Sequence, residues 1–149
     1  MRVVVQRCSR AEVRIDGECV GKIGKGFMLL VGVTEGDTQK EADLLAKKIA
    51  QLRVFEDEAG KMNLALHDIG GEILCISQFT LYADCRKGNR PSFVRAARPE
   101  TAEPLYEYLN NTLRETYALH VETGRFGADM KVDFINDGPV TILLDTDDL

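Results

Sequence analysis

Apolar and polar residues alternate along the first segment of the chain. Ala11, Val13 and Ile15 are separated by Glu12, Arg14 and Asp16, the two-residue period of a strand with one buried face. The pattern predicts a long strand over residues 2–16. Carried backwards, the same parity sets Val3 and Val5 on the apolar face, and Arg7 with them. Two readings of Arg7 stay open. A bulge near Cys8 and Ser9 would remove the anomaly. Otherwise Arg7 points inward and needs carbonyl or carboxylate partners, because an unpaired buried charge is very costly.

Asp16-Gly17 is a hairpin signal leading into a short strand over Glu18–Ile23. Gly24 and Gly26 then turn the chain into Phe27–Val33, a nearly continuous apolar run of the kind found in central strands. Thr38-Gln39-Lys40-Glu41 is a capping-box pattern, and Ala42, Leu45, Ala46, Ile49 and Leu52 follow it at helical spacing. Glu56–Lys61 reads as a loop. Glu72–Tyr82 predicts another strand, running into a loop over Ala83–Pro99. A second helix is expected over Ala102–Tyr117, with Thr101 as N-cap and Pro104 in the first turn, where proline is tolerated. Strands over His120–Phe126 and Lys131–Ile135 flank Gly124–Ala128, Val140–Leu144 is a final strand, and Asp145-Thr146-Asp147-Asp148 reads as a solvated tail. Strands outnumber helices in a mixed order. The expected fold is α+β: one domain over residues 1–149, with a mixed, mostly antiparallel sheet or partial barrel and two main helices.

Bulk properties narrow the class. A chain of 149 residues buries about 70% of its unfolded surface, enough for a core without metals or disulfides. Cys8, Cys19, Cys75 and Cys85 show no C-x-x-C spacing and no local histidine, so reduced thiols are expected rather than a zinc site. No stretch approaches the roughly 20 apolar residues that span a bilayer, and the opening apolar run is short for a signal peptide. A soluble, cytoplasmic protein is expected. The net charge of −5 gives no general pull toward nucleic acid, so any such contact needs a local basic surface. The loop Arg86-Lys87-Gly88-Asn89-Arg90, extended by Arg95 and Arg98, is the candidate, since no acidic residue interrupts Cys85–Pro99. A solvated loop with no specific partner is the alternative.

The usual catalytic motifs are missing. His67 and His120 are the only histidines, and there is no G-x-S-x-G elbow, H-E-x-x-H or Walker loop. No metal and no cofactor are expected, and any reaction must be easy or must borrow machinery from its substrate. Two segments remain. Ser77-Gln78-Phe79-Thr80-Leu81 sets two hydroxyls and an amide at the end of an apolar strand. With regular pleating Gln78 and Thr80 share one face, Ser77 and Phe79 the other. A strand simply turning polar at the surface accounts for the same residues. The second segment is Asn136-Asp137-Gly138-Pro139-Val140-Thr141, where Gly-Pro before a strand is an ordinary turn signal.

Together and in this order, the two segments resemble the paired signatures of the D-aminoacyl-tRNA deacylase family. The opening MRVVVQR, the stretch Gly124-Arg125-Phe126-Gly127-Ala128-Asp129-Met130 and the length resemble it too, with no departure at a motif position. The resemblance implies a homodimer that hydrolyses the ester between a D-amino acid, or glycine, and the terminal ribose of tRNA. It sets Ser77, Gln78, Phe79 and Thr80 around the scissile ester. Thr80 is the side-chain candidate for nucleophile, but an unaided hydroxyl is weak, and the ribose 2′-hydroxyl of the tRNA is the alternative. Gly138-Pro139 is implied to be a cis element, presented across the dimer, whose main chain collides with L side chains. Arg7 is implied to brace that element. Phe126, Ala128 and Met130 are implied to line or hold the pocket, with plain core packing the alternative for Phe126 and Met130. Arg86, Lys87 and Arg90 would meet the tRNA. D-aminoacyl-tRNA and glycyl-tRNA are the implied partners, with no membrane or DNA. Two rivals stand beside this reading: a non-catalytic RNA-binding module, and a small-molecule amidase or esterase.

Overall fold

The computed structural model describes all residues, Met1–Leu149. In chain order it forms β1 (Arg2–Ile15), β2 (Glu18–Ile23), β3 (Gly26–Gly32), α1 (Gln39–Gln51), the small hairpin β4 (Phe55–Glu56) and β5 (Met62–Leu64), and the single turn α2 (Leu66–Ile69). There follow β6 (Glu72–Ser77), a 3₁₀ turn over Phe79–Tyr82, α3 (Pro99–Glu115), β7 (Val121–Thr123) and β8 (Lys131–Asp145).

The long first strand organises the sheet. Residues 2–8 pair antiparallel with β3, residues 11–15 pair antiparallel with β2, and β8 runs antiparallel along the opposite edge. Two parallel pairings, β3 with β6 and β6 with β7, extend the sheet. The far ends curl together. A Cβ added to Gly21 of β2 would lie 2.9 Å from the Thr123 carbonyl of β7. The result is an α+β fold with a nearly closed, barrel-like sheet and two main helices.

The two faces of this sheet carry separate cores. Cys8, Ala11, Val13, Ile23, Met28, Leu74 and Ile76 fill the inside of the curl. Val3, Val5, Phe27, Leu29 and Ile73 face outward against Leu45 and Ile49 of α1 and Leu109 and Leu113 of α3. The unbroken apolar run of β3 follows, because both of its faces are covered.

Both readings of Arg7 hold. Its side chain is buried on the helix-facing side, as strict alternation with Val3 and Val5 requires. The β1–β8 register nevertheless shifts between Cys8 and Ala11, so Ala11 and Val13 point into the barrel although they share odd numbers with Arg7. Helix α1 begins as its capping box predicts: the Thr38 N–H donates to Glu41 Oε2 at 2.7 Å and the Lys40 N–H donates to Thr38 Oγ1.

Several boundaries differ from expectation. The strand expected over 72–82 stops at Ser77. The Gln78 N–H makes a last ladder bond to the Val31 carbonyl at 2.7 Å, and the Leu81 N–H then closes a turn on the Gln78 carbonyl. Pleating therefore does not set the faces of Gln78 and Thr80. Helix α3 starts at Pro99 rather than 102, with Arg98 as N-cap, because proline lacks only an N–H that the first turn leaves unbonded anyway. Thr101 lies within the helix and Pro104 past its first turn. The segments 131–135 and 140–144 belong to one strand that continues, with a bulge, through Gly138-Pro139, a cis peptide. The strand expected over 120–126 is only Val121–Thr123, and the loop expected over 56–61 belongs largely to the β4–β5 hairpin. The acidic end is tied down: Asp145 Oδ2 accepts from Arg2 Nε at 2.7 Å, and the Thr146 N–H donates to the Met1 carbonyl. No helix is long and apolar enough to cross a membrane.

Candidate active site

Where β6 ends, the chain opens a cavity of about 640 Å³. Ser77, Gln78 and Phe79 form one wall, and Phe126, Ala128 and Met130, some fifty residues later, form another. The first turns of α3 and the loop before it complete the lining, which is mostly apolar. Six of the residues that the resemblance sets at the site thus meet around one space, and Arg98 of the basic stretch joins them. Thr80, Gly138 and Pro139 are not among the lining residues of the same chain.

Each wall has a local cause. Tyr106 of α3 is buried, and its hydroxyl donates to the Cys75 carbonyl at 2.6 Å, fixing the helix to β6 two residues before Ser77. Burial drives the Tyr106 phenol well above its ordinary pKa. The Tyr106 ring lies 6.1 Å from that of Phe126. Gly124 leaves the space that Met130 occupies, since an added Cβ would overlap the Met130 sulfur.

The turn after Ser77 exposes Phe79 and Thr80. Thr80 Oγ1 accepts from Gln78 Nε2 at 2.6 Å, and no imidazole or carboxylate bonds to it. No histidine lines the cavity; the charged lining residues are Arg98 and Asp129, and Asp129 is itself bonded to Lys131. The leading N–H groups of the 79–82 turn have no upstream carbonyl within the turn, as at the start of any helical segment.

On β8, Asp137–Val140 bulge, because β8 carries more residues than β1 between the pairs Gln6–Thr141 and Cys8–Asn136. Arg7 sits beneath this bulge. Its Nε donates to the Asp137 carbonyl at 3.0 Å and its Nη1 to the Val54 carbonyl at 2.8 Å, with Glu56 at 4.0 Å from Nη2. Gly138 has φ +126°, a conformation L side chains rarely adopt, and a Cβ there would stand 2.9 Å from Arg7 Nη2.

The basic loop is pinned at both ends. Asp84 and Ser92 exchange two backbone hydrogen bonds, and the Ala97 N–H donates to the Val33 carbonyl at 2.9 Å. Arg86 is held by Asp84 through its Nε and Nη2, which leaves Lys87 and Arg90 without an ion-pair partner. Between the anchors Phe93 meets Phe79 edge to face, ring centroids 5.1 Å apart.

Sequence reasoning missed Phe93, Arg98, Tyr106 and Asp129 as lining residues. Tyr106 carried a readable signal, a phenol on the apolar stripe of α3 whose hydroxyl needs a buried partner. Phe93 was an aromatic residue alone in a polar loop.

The chain is similar to known proteins along nearly its whole length. The family model described as D-Tyr-tRNA(Tyr) deacylase matches residues 4–145. A D-aminoacyl-tRNA deacylase of Halalkalibacterium halodurans is 62% identical over 146 residues, 98% of this chain and 99% of the relative. Among solved structures, a c-Myc DNA Unwinding Element Binding Protein superposes with a TM-score of 0.93 at 47% identity, covering 98% of this chain and 99% of that one. A probable eukaryotic D-amino acid tRNA deacylase shares the fold, with a TM-score of 0.84 at 16% identity over 96% of this chain and 97% of that one. The chain belongs to the D-aminoacyl-tRNA deacylase family, hydrolases that act on ester bonds.

Proposed function

We propose that this chain hydrolyses the ester joining a D-amino acid, or glycine, to the terminal ribose of tRNA, working as a one-domain cytoplasmic homodimer that rejects L-amino acids. The observation that carries the reading is the cavity in which Ser77, Gln78 and Phe79 face Phe126, Ala128 and Met130.

An aminoacyl ester is already activated, so the protein needs mainly to fix the carbonyl, stabilise the developing oxyanion and admit water. The N–H groups of the Phe79–Thr80 turn are the donors offered to that oxyanion. Thr80 as a covalent nucleophile is the weaker route, because its hydroxyl accepts from Gln78 and has no base beside it. The ribose 2′-hydroxyl of the substrate is the stronger candidate. Thr80→Val should keep most of the activity, and a terminal 2′-deoxyribose should abolish it. The reverse pair of results would assign the covalent role to Thr80.

Chirality is read by Gly138-Pro139 of the second subunit. What supports this is the open edge of β8: it pairs only with β1, and Ile135 and Leu143 are 49% and 75% exposed along it. A long unpaired edge of this kind is ordinarily covered. A second copy seated there would carry the Asp137–Val140 bulge of one subunit toward the cavity of the other. Main chain close to the substrate α-carbon leaves room for a D side chain, collides with an L side chain and lets glycine pass. Arg7 braces the bulge, and Lys87 and Arg90, with Arg86, face the RNA.

Incubating pure protein with D-Tyr-tRNA, L-Tyr-tRNA and a free D-Tyr ester tests the whole reading. Hydrolysis of the first alone is expected. Binding without turnover would make it an RNA-binding module, and rapid turnover of the free ester a small-molecule esterase.

A further inference from the structure

Phe93 belongs to none of the motifs above, yet it stands 38% exposed at the rim of the cavity beside Phe79, which is 56% exposed. The next residue, Val94, is 84% exposed, so the segment presents apolar surface on a loop rich in basic residues. Such a tip would be expected to collapse or stay mobile, but this one is framed. The Asp84–Ser92 pair closes the chain on one side, the Thr34–Ala96 bridge and the Ala97–Val33 bond on the other. The edge-to-face contact with Phe79 fixes the Phe93 ring itself. Arg98 lines the same cavity, its guanidinium making only a loose 3.8 Å approach to Glu100 with both side chains exposed, and Lys87 and Arg90, on the same loop as Phe93, have no ion-pair partner. Arg95 lies over the Tyr82 ring, 5.7 Å from its centroid.

Rigid, solvent-facing aromatic rings among unpaired cations are the composition that holds single-stranded nucleic acid: ring faces take bases of any identity, and guanidinium and ammonium groups take the phosphates. We propose that the Phe79–Phe93 pair is a stacking platform for the unpaired nucleotide preceding the terminal, aminoacylated one, with Phe93 the residue that engages it. The inference rests on the esterase reading above. If the cavity holds the terminal nucleoside and its amino acid, the rest of the RNA strand has to leave across its rim, and Phe93 lies on that rim next to the basic loop.

The test compares two substrates, full-length D-Tyr-tRNA and the minimal ester 3′-D-tyrosyl-adenosine, on wild type, Phe93→Ala, Phe93→Leu and Phe93→Trp. Phe93→Ala and Phe93→Leu should lose about tenfold or more in kcat/KM on the tRNA, chiefly through KM, as loss of one stacked base implies. Phe93→Trp should restore it, and because Phe93 also borders the cavity, Phe93→Ala and Phe93→Leu should lower turnover of the minimal ester several-fold less than turnover of the tRNA. The leucine variant keeps apolar bulk against Phe79, so it separates stacking from support of the loop. Unchanged kcat/KM on tRNA would overturn the proposal, and so would equal losses on both substrates, which would make Phe93 a wall of the cavity only. If wild type hydrolyses neither substrate, the esterase reading itself fails.

Discussion

Arg7 and Gly138 are matched across two strands: the guanidinium that donates to the carbonyl just before the glycine also occupies the position next to where a side chain at 138 would begin, 2.9 Å from an added Cβ. The bulge and its brace are therefore one unit. Gly138→Ala should destabilise the protein by roughly 1–3 kcal/mol, from the positive φ and the contact with Arg7 together. It should also remove deacylation of D-Tyr-tRNA. Arg7→Met, which leaves the Asp137 and Val54 carbonyls without their donors, should cost about as much in stability. Thermal unfolding and D-Tyr-tRNA turnover of both variants check this; wild-type values for either variant would separate the two residues.

The link from Tyr106 to the Cys75 carbonyl predicts a second effect. Tyr106→Phe leaves the buried Cys75 carbonyl short of a partner, a loss of about 1–3 kcal/mol in unfolding free energy. The helix that backs the cavity should loosen as well, raising KM for the ester more than it lowers kcat. A variant as stable as wild type would mean that α3 is held by its apolar stripe alone.

The thiols divide by burial. Burial pushes Cys8 up to about 11 and Cys75 higher still, so both remain neutral thiols at pH 8, while Cys19 and Cys85 are exposed. A disulfide-exchange reagent at pH 8 should titrate two thiols quickly and the other two only on unfolding. Four fast thiols would contradict the packing of β1 and β6.

In the basic loop, Arg86 holds Asp84 down to about 2 through side-chain hydrogen bonds, with its backbone N–H adding to them. Because this folded pKa lies below the ordinary carboxylate value, the pairing contributes fully above about pH 4 and is lost as pH falls through 2. Glu41, lowered by the Thr38 hydroxyl and N–H, shifts in the same direction. An NMR carboxyl titration should find the Asp84 midpoint near 2. A midpoint near 4 would show that Arg86 does not hold Asp84.

Much of this was legible in the sequence. Alternation found β1, the capping box found the start of α1, and the inward parity of Arg7 pointed to a real buried cation. Local pattern failed where tertiary contacts decide. Ser77–Tyr82 continues an apolar strand on paper, but β3 offers its last ladder partner at Val31, so the chain turns at Gln78 and exposes Thr80. Gly138-Pro139 reads as a turn between two strands, yet β1 pairs on both sides of it and keeps β8 whole. Pro99, met as the end of a loop, opens a helix, because the missing N–H of proline is harmless at a first helical position. Phe93 could not be placed at all, since nothing local says which cavity a loop will border.

The central claim is that each cavity is completed by residue 138 of the other subunit, and mixed dimers test it most directly. Gly138→Ala spoils the bulge, Ala128→Trp fills the cavity, and each homodimer should be inactive on D-Tyr-tRNA. A heterodimer of the two, isolated through different affinity tags, holds one unaltered cavity facing one unaltered bulge if the element acts across the interface. It should then recover about half of wild-type turnover and keep its rejection of L-Tyr-tRNA. A heterodimer as inactive as its parents would place residue 138 at its own subunit's cavity, or at none, and contradict the account.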